Sequence, residues 1–424
     1  MVKTAVLFTP FWRQAGHVGN NRIDRFLRWL VADGFYVVIV RAGSVDGQTT
    51  TEWGMEITVR DPLGLYRDNS PTENHAPTRK PNKLRRALSY WLFNPDPSIV
   101  WAYAAARHPA VIQAAANATF ILSSNPPESA HVGACELARR LGLPLITDMR
   151  DGWLDEPLKP LLRTSAFRRW REGRLEIKIL RAANAILVTS DVWQELLCKR
   201  HPELNGKVTV LTNGYPSSMP KPGLPEHGVN TMNCVLIHAG RFLGSRLTQS
   251  PDLLLQPLLD AVTQNNSQGS IQLIGSLNVD ESAIIAPFAQ LFLEQGWTIE
   301  CTDYLNRPDL LKLLPKANGL LLLSASYAAI PSKLFEYIPT GKPILAVTEA
   351  GSATWRICRQ LPQAFLIESG LRANHQTLKM FIDAVFGKAL VPTCPAEYSE
   401  NEQSKKLLAV IEQLTKNRGH KVGD

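Results

Sequence analysis

The residues best suited to bind an anion lie in the second half of the chain. Arg241 and Arg246 flank a turn of small residues in the segment GRFLGSR, residues 240–246. Guanidinium groups stay charged at any working pH and can donate two parallel hydrogen bonds to phosphate oxygens. The pair therefore indicates a phosphate site, and a surface ion pair is the structural alternative for Arg241.

A second anion site is predicted in PSKLFEYIPTGKP, residues 331–343, which follows the apolar run GLLLLSA. Pro331 sets a turn, and Ser332 is of the type preferred at a helix N-cap. In that arrangement the amides of Lys333 and Leu334 point outward, as amides at an anion-binding helix N-terminus do.

Glu336 lies about one helical turn beyond Ser332. Its carboxylate could accept hydrogen bonds from two neighbouring hydroxyls of a ribose. The alternative is a favourable charge near a helix N-terminus with no ligand. Taken with the phosphate sites, the segment is predicted to hold a nucleoside diphosphate and its sugar.

Two series of short apolar, β-branched runs must position these residues. Continuous apolar runs of this length are typical of parallel strands that are buried on both faces and covered by helices. The pattern predicts an α/β chain with two doubly wound parallel-sheet domains of Rossmann-like type. The predicted strands are 4–10, 36–41, 120–124, 144–149, 185–190 and 207–213, then 234–240, 271–275, 297–302, 319–325, 342–347 and 364–369.

The domains are predicted to meet at GYPSSMPKPGLPEHGVNTMN, which is rich in Pro, Gly and Ser. In open parallel sheets, ligands bind outside the carboxyl ends of the strands. We therefore expect the domains to face each other across a cleft that holds both sets of strand ends. The predicted bounds are 1–216 for the N-terminal domain, 217–233 for the linker, 234–395 for the C-terminal domain and 396–424 for a C-terminal helix and tail, with packing against the N-terminal domain as one arrangement.

The formal net charge of +8 falls within residues 1–216, because the remaining residues balance. Two basic stretches, 79–93 and 161–181, contribute most of it. The second interleaves Arg and Lys with Leu, Phe and Trp at helical spacing, as in helices that lie on anionic lipid headgroups. A solvated helix face is the main alternative. Nucleic acid is disfavoured because no recognised binding motif accompanies the charge.

Composition predicts a cytoplasmic protein, with a peripheral position on the inner face of the cell membrane as the further expectation. No run approaches the roughly 20 apolar residues that span a bilayer, and the N-terminus lacks a cleavable signal pattern. The six cysteines form no CxxC pair, which argues against a zinc site or a disulfide framework.

The C-terminal half resembles the donor-binding half of GT-B glycosyltransferases, specifically the retaining family 4 group. The N-terminal half resembles the acceptor half of bacterial members that build surface polysaccharides. The motifs that carry the first likeness are GRFLGSR, Gly275, DYL (303–305) and PSKLFEYIPTGKP. Those that carry the second are NPDP (94–97), SSNPPESAH (123–131), DMRDGW (148–153) and Asn213-Gly214.

For the donor side, the resemblance implies that Arg241 and Arg246 neutralise the departing diphosphate. It places Glu336 on the ribose, and Tyr304 and Leu305 beside the base. The other donor-side positions that it marks are Gly240, Gly275, Pro331, Ser332 and Lys333.

For the N-terminal half, the resemblance implies that the loop QAGHVGNNR (14–22) closes over the phosphates, with Gly16 and Gly19 allowing close approach. An ordinary turn is the alternative. Asp148, Arg150 and Asp151 are expected to face the transferred sugar or the acceptor hydroxyl, and a structural ion-pair cluster is the alternative. The implied acceptor-side residues are Asn125, Glu128, His131 and Trp153.

The resemblance implies a hexosyl or related transferase that uses a UDP or GDP type sugar donor, a lipid-linked or saccharide acceptor, no cofactor and no metal. The chain contains no DxD pair. One departure is Ala328, which stands where the family commonly has a sugar-binding Glu. A catalytically inactive GT-B scaffold and a sugar-nucleotide epimerase are the alternatives.

Overall fold

A computed structural model describes residues 3–14, 17, 19–66, 92–155, 165–216, 234–242, 250–264, 267–371, 374–387 and 390–420. The chain forms two compact units. The first comprises residues 1–189, 193–211 and 404–424, and the second comprises 190–192 and 212–403. The chain therefore starts and ends in the same unit.

The first unit contains an eight-stranded sheet in the order β3-β4-β2-β1-β5-β6-β7-β8. Neighbouring strands are parallel, except that β3 pairs antiparallel with β4 at the edge. The strands are β1 (Thr4–Phe8), β2 (Tyr36–Gly43), β3 (Gly47–Thr51), β4 (Gly54–Arg60), β5 (Phe120–Ser124), β6 (Leu145–Met149), β7 (Ala185–Val188) and β8 (Val208–Val210).

Helices connect these strands, as expected for parallel pairing. They are α1 (Asn20–Ala32), α2 (Ile99–Arg107), α3 (Pro109–Ala115), α4 (Ser129–Leu141), α5 (Ala166–Ala182) and α6 (Asp191–Arg200), with a short 3₁₀ helix at Pro202–Leu204. The sequence sets some of their ends directly. Ser165 caps α5 by accepting a hydrogen bond from the amide of Arg168, and Gly142 ends α4 in the left-handed conformation.

The second unit contains a six-stranded sheet in the order β11-β10-β9-β12-β13-β14, with parallel pairing throughout. Its core lies on both faces, because alternate residues of β12 and β13 contribute to different hydrophobic clusters. The strands are β9 (Cys234–Ala239), β10 (Gly269–Ile274), β11 (Trp297–Thr302), β12 (Gly319–Ser324), β13 (Ile344–Thr348) and β14 (Ala364–Glu368).

The helices of this unit precede and follow its strands in regular alternation. They are α7 (Asp252–Thr263), α8 (Val279–Glu294), α9 (Arg307–Leu313), α10 (Ser332–Tyr337), α11 (Ala353–Cys358) and α12 (His375–Val385). Short 3₁₀ helices lie at Leu314–Lys316, Ile338–Thr340 and Ala396–Tyr398. Asn278 and Glu281 form a reciprocal capping box that starts α8.

The last described helix, α13 (Glu400–His420), belongs to the first unit from residue 404 onward. Leu407 and Ile411 are buried in one cluster with Ala5 and Leu7 of β1. The apolar side of this C-terminal helix thus packs in the core beside β1.

Each of the twelve predicted strands overlaps a strand of the structure, but β3 and β4 were not predicted. Residues 47–51 read GQTTT and are mostly exposed, so the segment lacks the apolar run by which the other strands were recognised. The expectation of purely parallel pairing is wrong at this edge. Within the described residues, no helix has both the length and the apolar composition needed to cross a membrane.

Candidate active site

The strand ends of the second unit present bare backbone at two glycines. Gly240 follows β9 and Gly275 follows β10, with φ of +117° and +147°. The amide of Gly240 donates to the carbonyl of Ile274 at 2.7 Å. A Cβ on Gly275 would lie 3.0 Å from the Gly240 carbonyl oxygen. Glycine is therefore required here both by conformation and by space, because protein atoms already fill the position that a side chain would take.

The ammonium group of Lys333 lies against this glycine turn. A side chain at Gly240 would collide with Nζ of Lys333. Burial lowers the pKa of Lys333 to about 8, and the nearby Glu336 carboxylate raises it in part. His238 at the end of β9 is buried, and its pKa is lowered by burial and by Lys333. The turn therefore carries a weakly hydrated positive charge that lies beside a neutral imidazole.

Glu336 pairs with Arg307, a residue that the sequence analysis did not select. Arg307 Nε donates to Glu336 Oε1 at 2.8 Å, and Asn306 holds the start of α9 by accepting from the amide of Asp309. Arg307 Nη2 is buried and has no hydrogen-bond partner among the described residues. The pair could accept and donate hydrogen bonds to a polyhydroxylated ligand. The only available signal was an arginine five positions after the predicted strand end at residue 302, in DYLNR.

The predicted N-cap at Ser332 is wrong. Helix α10 begins at Ser332 itself, Pro331 takes the N-cap position, and no side chain caps the helix. The amide of Leu334 donates to the Pro331 carbonyl at 3.0 Å, so it does not point outward as predicted. The segment contributes the Lys333 ammonium to the glycine turn, whereas the sequence analysis had emphasised its amides.

The remaining donor-side residues differ in exposure. Arg241 follows Gly240 and is exposed, and Tyr304 is 76% exposed. Leu305 packs against the hydrophobic cluster that contains Leu334 and Phe335. Arg246 lies outside the described residues.

In the first unit, Asp148 at the end of β6 is fully buried in an ion pair with Arg22 of α1. Arg22 Nε donates to Oδ2 at 2.8 Å and Nη2 donates to Oδ1 at 2.6 Å. Ser124 Oγ also donates to Oδ2 at 2.7 Å. These contacts link β5, β6 and α1 at the strand ends. Arg22 lies within the loop segment named from the sequence but was not selected.

Asn125 joins the next residues of the same edge. Its Oδ1 accepts from the amide of Arg150 at 2.8 Å, and its Nδ2 donates to the carbonyl of Asp151 at 3.1 Å. The carboxylate of Asp151 lies 3.7 Å from the Arg150 guanidinium. Glu128 is buried 3.5 Å from the Asn125 amide. The structure thus brings four predicted residues into one network.

Arg150 also lies over an aromatic cluster that sequence reasoning missed. Its guanidinium is 5.5 Å from the ring of Phe11, and His17 stacks on Phe11 at 4.2 Å. A side chain at Gly19 would collide with Arg150 and Phe11. Arg150 Nη1 is buried without a hydrogen-bond partner among the described residues. Gly19 therefore admits a guanidinium group; Gly16 lies outside the described residues.

His17 is uncharged near neutral pH. Burial and, to a smaller extent, the Arg150 charge lower its pKa to about 4, although Asp151 acts in the opposite direction. Its Nδ1 accepts from the amide of Gly19 at 3.2 Å, which requires the unprotonated nitrogen. The cluster of Phe11, His17, Gly19 and Arg150 thus offers one positive charge and a neutral ring at the strand ends.

His131 and Trp153 are buried side chains with structural contacts. His131 Nδ1 lies 2.7 Å from Ser123 Oγ, and Trp153 Nε1 donates to Glu172 of α5 at 3.0 Å. Their rings lie 6.3 Å apart. Both are therefore parts of the support behind the strand ends.

A family model described as a glycosyl transferase 4-like domain matches residues 19–214. Residues 19–214, somewhat less than half of the chain, are thus similar to this family. The matched range includes the Arg22, Asn125, Asp148 and Arg150 network. No curated protein matches this glycosyltransferase-like chain.

Solved structures with the GT-B glycosyltransferase fold match this chain over almost its whole length. A glycosyltransferase from Rickettsia africae is 13% identical, with a TM-score of 0.59 over 98% of this chain and 100% of that one. A UDP-forming α,α-trehalose-phosphate synthase from Burkholderia xenovorans is 12% identical, with a TM-score of 0.60 over 98% and 99%. Anabaena HepE, solved with UDP and glucose, is 16% identical, with a TM-score of 0.53 over 99% and 100%. The chain therefore has the GT-B fold.

Proposed function

We propose that this glycosyltransferase moves a hexosyl or related sugar from a nucleoside-diphosphate donor to a hydroxyl of a lipid-linked or oligosaccharide acceptor. We place the reaction, with retention at the anomeric carbon, in bacterial cell-surface polysaccharide synthesis. The observation that carries the proposal is the Lys333 ammonium held against the bare turn formed by Gly240 and Gly275.

The glycine turn is suited to a diphosphate. The positive φ angles leave the two strand ends without side chains of their own, and the Lys333 ammonium lies beside Gly240, where it can pair with phosphate oxygens. Lys333 is half-buried, so its charge interacts more strongly with an anion than the charge of a fully exposed lysine would. Arg241 adds a second positive side chain directly after Gly240.

Glu336 and Arg307 are assigned to the ribose. The carboxylate can accept from two ribose hydroxyls, and the buried Nη2 of Arg307 can donate to a hydroxyl oxygen. In this arrangement Arg307 positions Glu336. The exposed ring of Tyr304 is the proposed neighbour of the base.

The chemical step we propose needs no enzymic nucleophile. The bond from the anomeric carbon to the diphosphate oxygen breaks, and a bond to the acceptor oxygen forms on the same face. The acceptor proton passes to the departing phosphate oxygen. Lys333 and Arg241 stabilise the charge that grows on that diphosphate, so the proposed reaction is independent of a metal.

The Arg150 cluster of the first unit is the proposed acceptor-side contact. Arg150 carries a guanidinium whose Nη1 lacks a partner among the described residues, and it stands beside the polar Asp151. Asp148 is held by Arg22 and Ser124, so we assign it a positioning role. Asn125 would orient the backbone of Arg150 and Asp151.

The donor nucleotide is proposed to be of UDP or GDP type. UDP is the first choice because Anabaena HepE was solved with UDP and glucose and with UDP-glucose, and an Escherichia coli trehalose-6-phosphate protein with UDP-2-fluoro-glucose. Two of these likenesses have TM-scores of 0.53 and 0.54.

The assignment is tested by titrating UDP, GDP, TDP and ADP calorimetrically and then assaying transfer with sugars on the nucleotide that binds. We expect one nucleotide to bind. Arg241→Ala should lower kcat/KM by roughly 30-fold to 1,000-fold, since loss of one charge-stabilising donor costs about 2–4 kcal/mol. Arg359→Ala, at another exposed arginine of the same unit, should leave kcat/KM unchanged.

Two outcomes would contradict the proposal. If none of the four nucleotides binds, a catalytically inactive scaffold is favoured. The buried Ala328 at the usual Glu position supports that alternative. The protein would be identified as an epimerase if NMR showed that it converts the sugar nucleotide in the absence of an acceptor.

A further inference from the structure

Helix α5 has one face fixed in the first unit. Arg168 is buried, with Nε 2.5 Å from Glu172 and Nη1 donating to the carbonyl of Phe93 at 2.6 Å. Glu172 also accepts from Trp153, and Ile179 and Leu180 are buried. The orientation of the helix is therefore set, and the opposite face is directed to solvent.

The opposite face begins with two exposed aromatic rings. Phe167 is 58% exposed and Trp170 is 56% exposed, although both are large apolar side chains. Their ring centroids lie 5.9 Å apart. Such a pair is costly in water and is typical of a surface that contacts another phase or partner.

Basic side chains continue the same stripe. Arg171, Arg174 and Lys178 are exposed and follow Trp170 at helical spacing. Arg174 lies over the Trp170 ring at 5.3 Å. Within the described part of the chain, Arg171 and Lys178 form no ion pair, whereas Arg181 at the helix end is paired with Glu203 at 2.5 Å. The positive charge of the stripe is thus concentrated next to the aromatic pair.

We propose that the α5 face formed by Phe167, Trp170, Arg171, Arg174 and Lys178 binds an anionic membrane surface. Aromatic rings partition to the headgroup region, and Arg and Lys side chains above them pair with anionic lipids. The basic stretch 161–181 was interpreted from the sequence as compatible with such a surface, with a solvated helix face as the main alternative. The structure removes Arg168 from it, because that residue is buried.

A lipid surface fits this face better than a nucleic acid does. Binding of single-stranded nucleic acid uses free ring faces on which bases stack. One face of Trp170 is already covered by Arg174. Insertion among headgroups requires only the exposed ring edges. The proposal does not depend on the transfer reaction, since no residue of the stripe belongs to the proposed active site.

The test is co-sedimentation of the full chain with vesicles of phosphatidylcholine alone or with 30% phosphatidylglycerol. We expect binding to the anionic vesicles that is released by high salt. The triple variant Arg171→Glu, Arg174→Glu and Lys178→Glu should bind on the order of a hundredfold more weakly, because each basic residue contributes about fivefold. The matched control reverses Arg60, Lys199 and Lys316, which are exposed elsewhere.

The aromatic contribution has its own readout. Brominated lipids should quench the fluorescence of Trp170, and the variant Trp170→Phe should lose that quenching while it keeps most of the charge-dependent binding. Each variant is shown to be folded if its circular dichroism spectrum and its nucleotide affinity match those of the native protein.

The proposal is overturned if the triple variant and the control bind equally, or if neutral vesicles bind as strongly as anionic ones. It is also overturned, in favour of nucleic acid, if a labelled single-stranded oligonucleotide binds through the stripe and anionic vesicles do not.

Discussion

Lys333 carries its charge in surroundings that oppose it. Burial lowers its pKa to about 8, and only Glu336 offsets this effect. A doubly charged phosphate group placed at the glycine turn would reverse the balance, since an opposite charge nearby favours the ammonium form. The cost of burying the lysine in the free protein is thus recovered when an anion binds, which is the pattern expected of a binding residue.

Nucleotide affinity should consequently depend on pH. The ammonium is present below pH 8 and is lost above it in the free protein, so binding should weaken by up to about tenfold per pH unit from pH 8 upward. Lys333→Met should bind about 10-fold to 150-fold more weakly at pH 7, corresponding to about 1.5–3 kcal/mol for a charged hydrogen bond. It should also lose the pH dependence.

Calorimetry between pH 7 and 9.5 measures both effects, with Lys316→Met as the exposed control on the same unit. An affinity for the native protein that stays constant across this range would show that Lys333 does not contact the diphosphate.

The site residues that could be selected from the sequence differ from those that could not in how they are placed: by their position along the chain, or by contacts with residues distant in sequence. Gly240, Gly275 and Arg150 directly follow strands, and Glu336 lies one helical turn beyond Ser332, so position along the chain was enough to select them. Arg22 and Arg307 depend on contacts with residues distant in sequence: Asp148 lies 126 positions from Arg22, and Glu336 lies 29 positions from Arg307. One sequence without an alignment contains no signal for such pairings.

At the scale of elements, apolar runs predicted buried strands well because burial on both faces leaves few polar positions. Strand β3 was missed because it is exposed and polar, and β4 because Glu56 interrupts its apolar run. Helix α10 starts at Ser332, one residue earlier than an N-cap at Ser332 would imply, so the predicted cap was wrong. Proline at position 331 adopts the N-cap conformation and leaves the Ser332 hydroxyl inside the helix.

Helix α13 shows how a distant element stabilises the first unit. Leu407 is fully buried against residues of β1. Leu407→Ala should lower the free energy of unfolding of this unit by about 2–5 kcal/mol, through lost burial and a cavity. Lys406→Ala, on the exposed side of the same helix, should change it by less than about 0.5 kcal/mol.

Urea unfolding followed by tryptophan fluorescence suits this measurement. All tryptophans except Trp297 and Trp355 fall within the residue range of the first unit, so the signal reports mainly on that unit. Equal midpoints for the two variants would mean that α13 contributes nothing to the stability of the first unit.

For the whole molecule, the division into units assigns the two proposed ligands to different parts of the chain. The diphosphate residues Gly240, Gly275 and Lys333 belong to the second unit, whereas the Arg150 cluster belongs to the first. The family match at residues 19–214 covers only the latter. Evidence for the donor site thus comes from the geometry of the second unit, and a measurement that separates the units is the most direct check.

Hydrogen exchange of the full chain with and without UDP provides that separation. The free energy of local opening at a ligand site rises by about 2.7 kcal/mol when the ligand is present at 100 times its dissociation constant. We expect slower exchange in peptides that contain residues 240–242, 274–276, 303–308 and 331–337. Lys333→Met at the same UDP concentration should lose most of this protection, while Lys316→Met should keep it. Protection confined to residues 19–214 would move the nucleotide to the first unit and contradict the assignment of Lys333, because a diphosphate bound at the glycine turn must shield the amides that surround it.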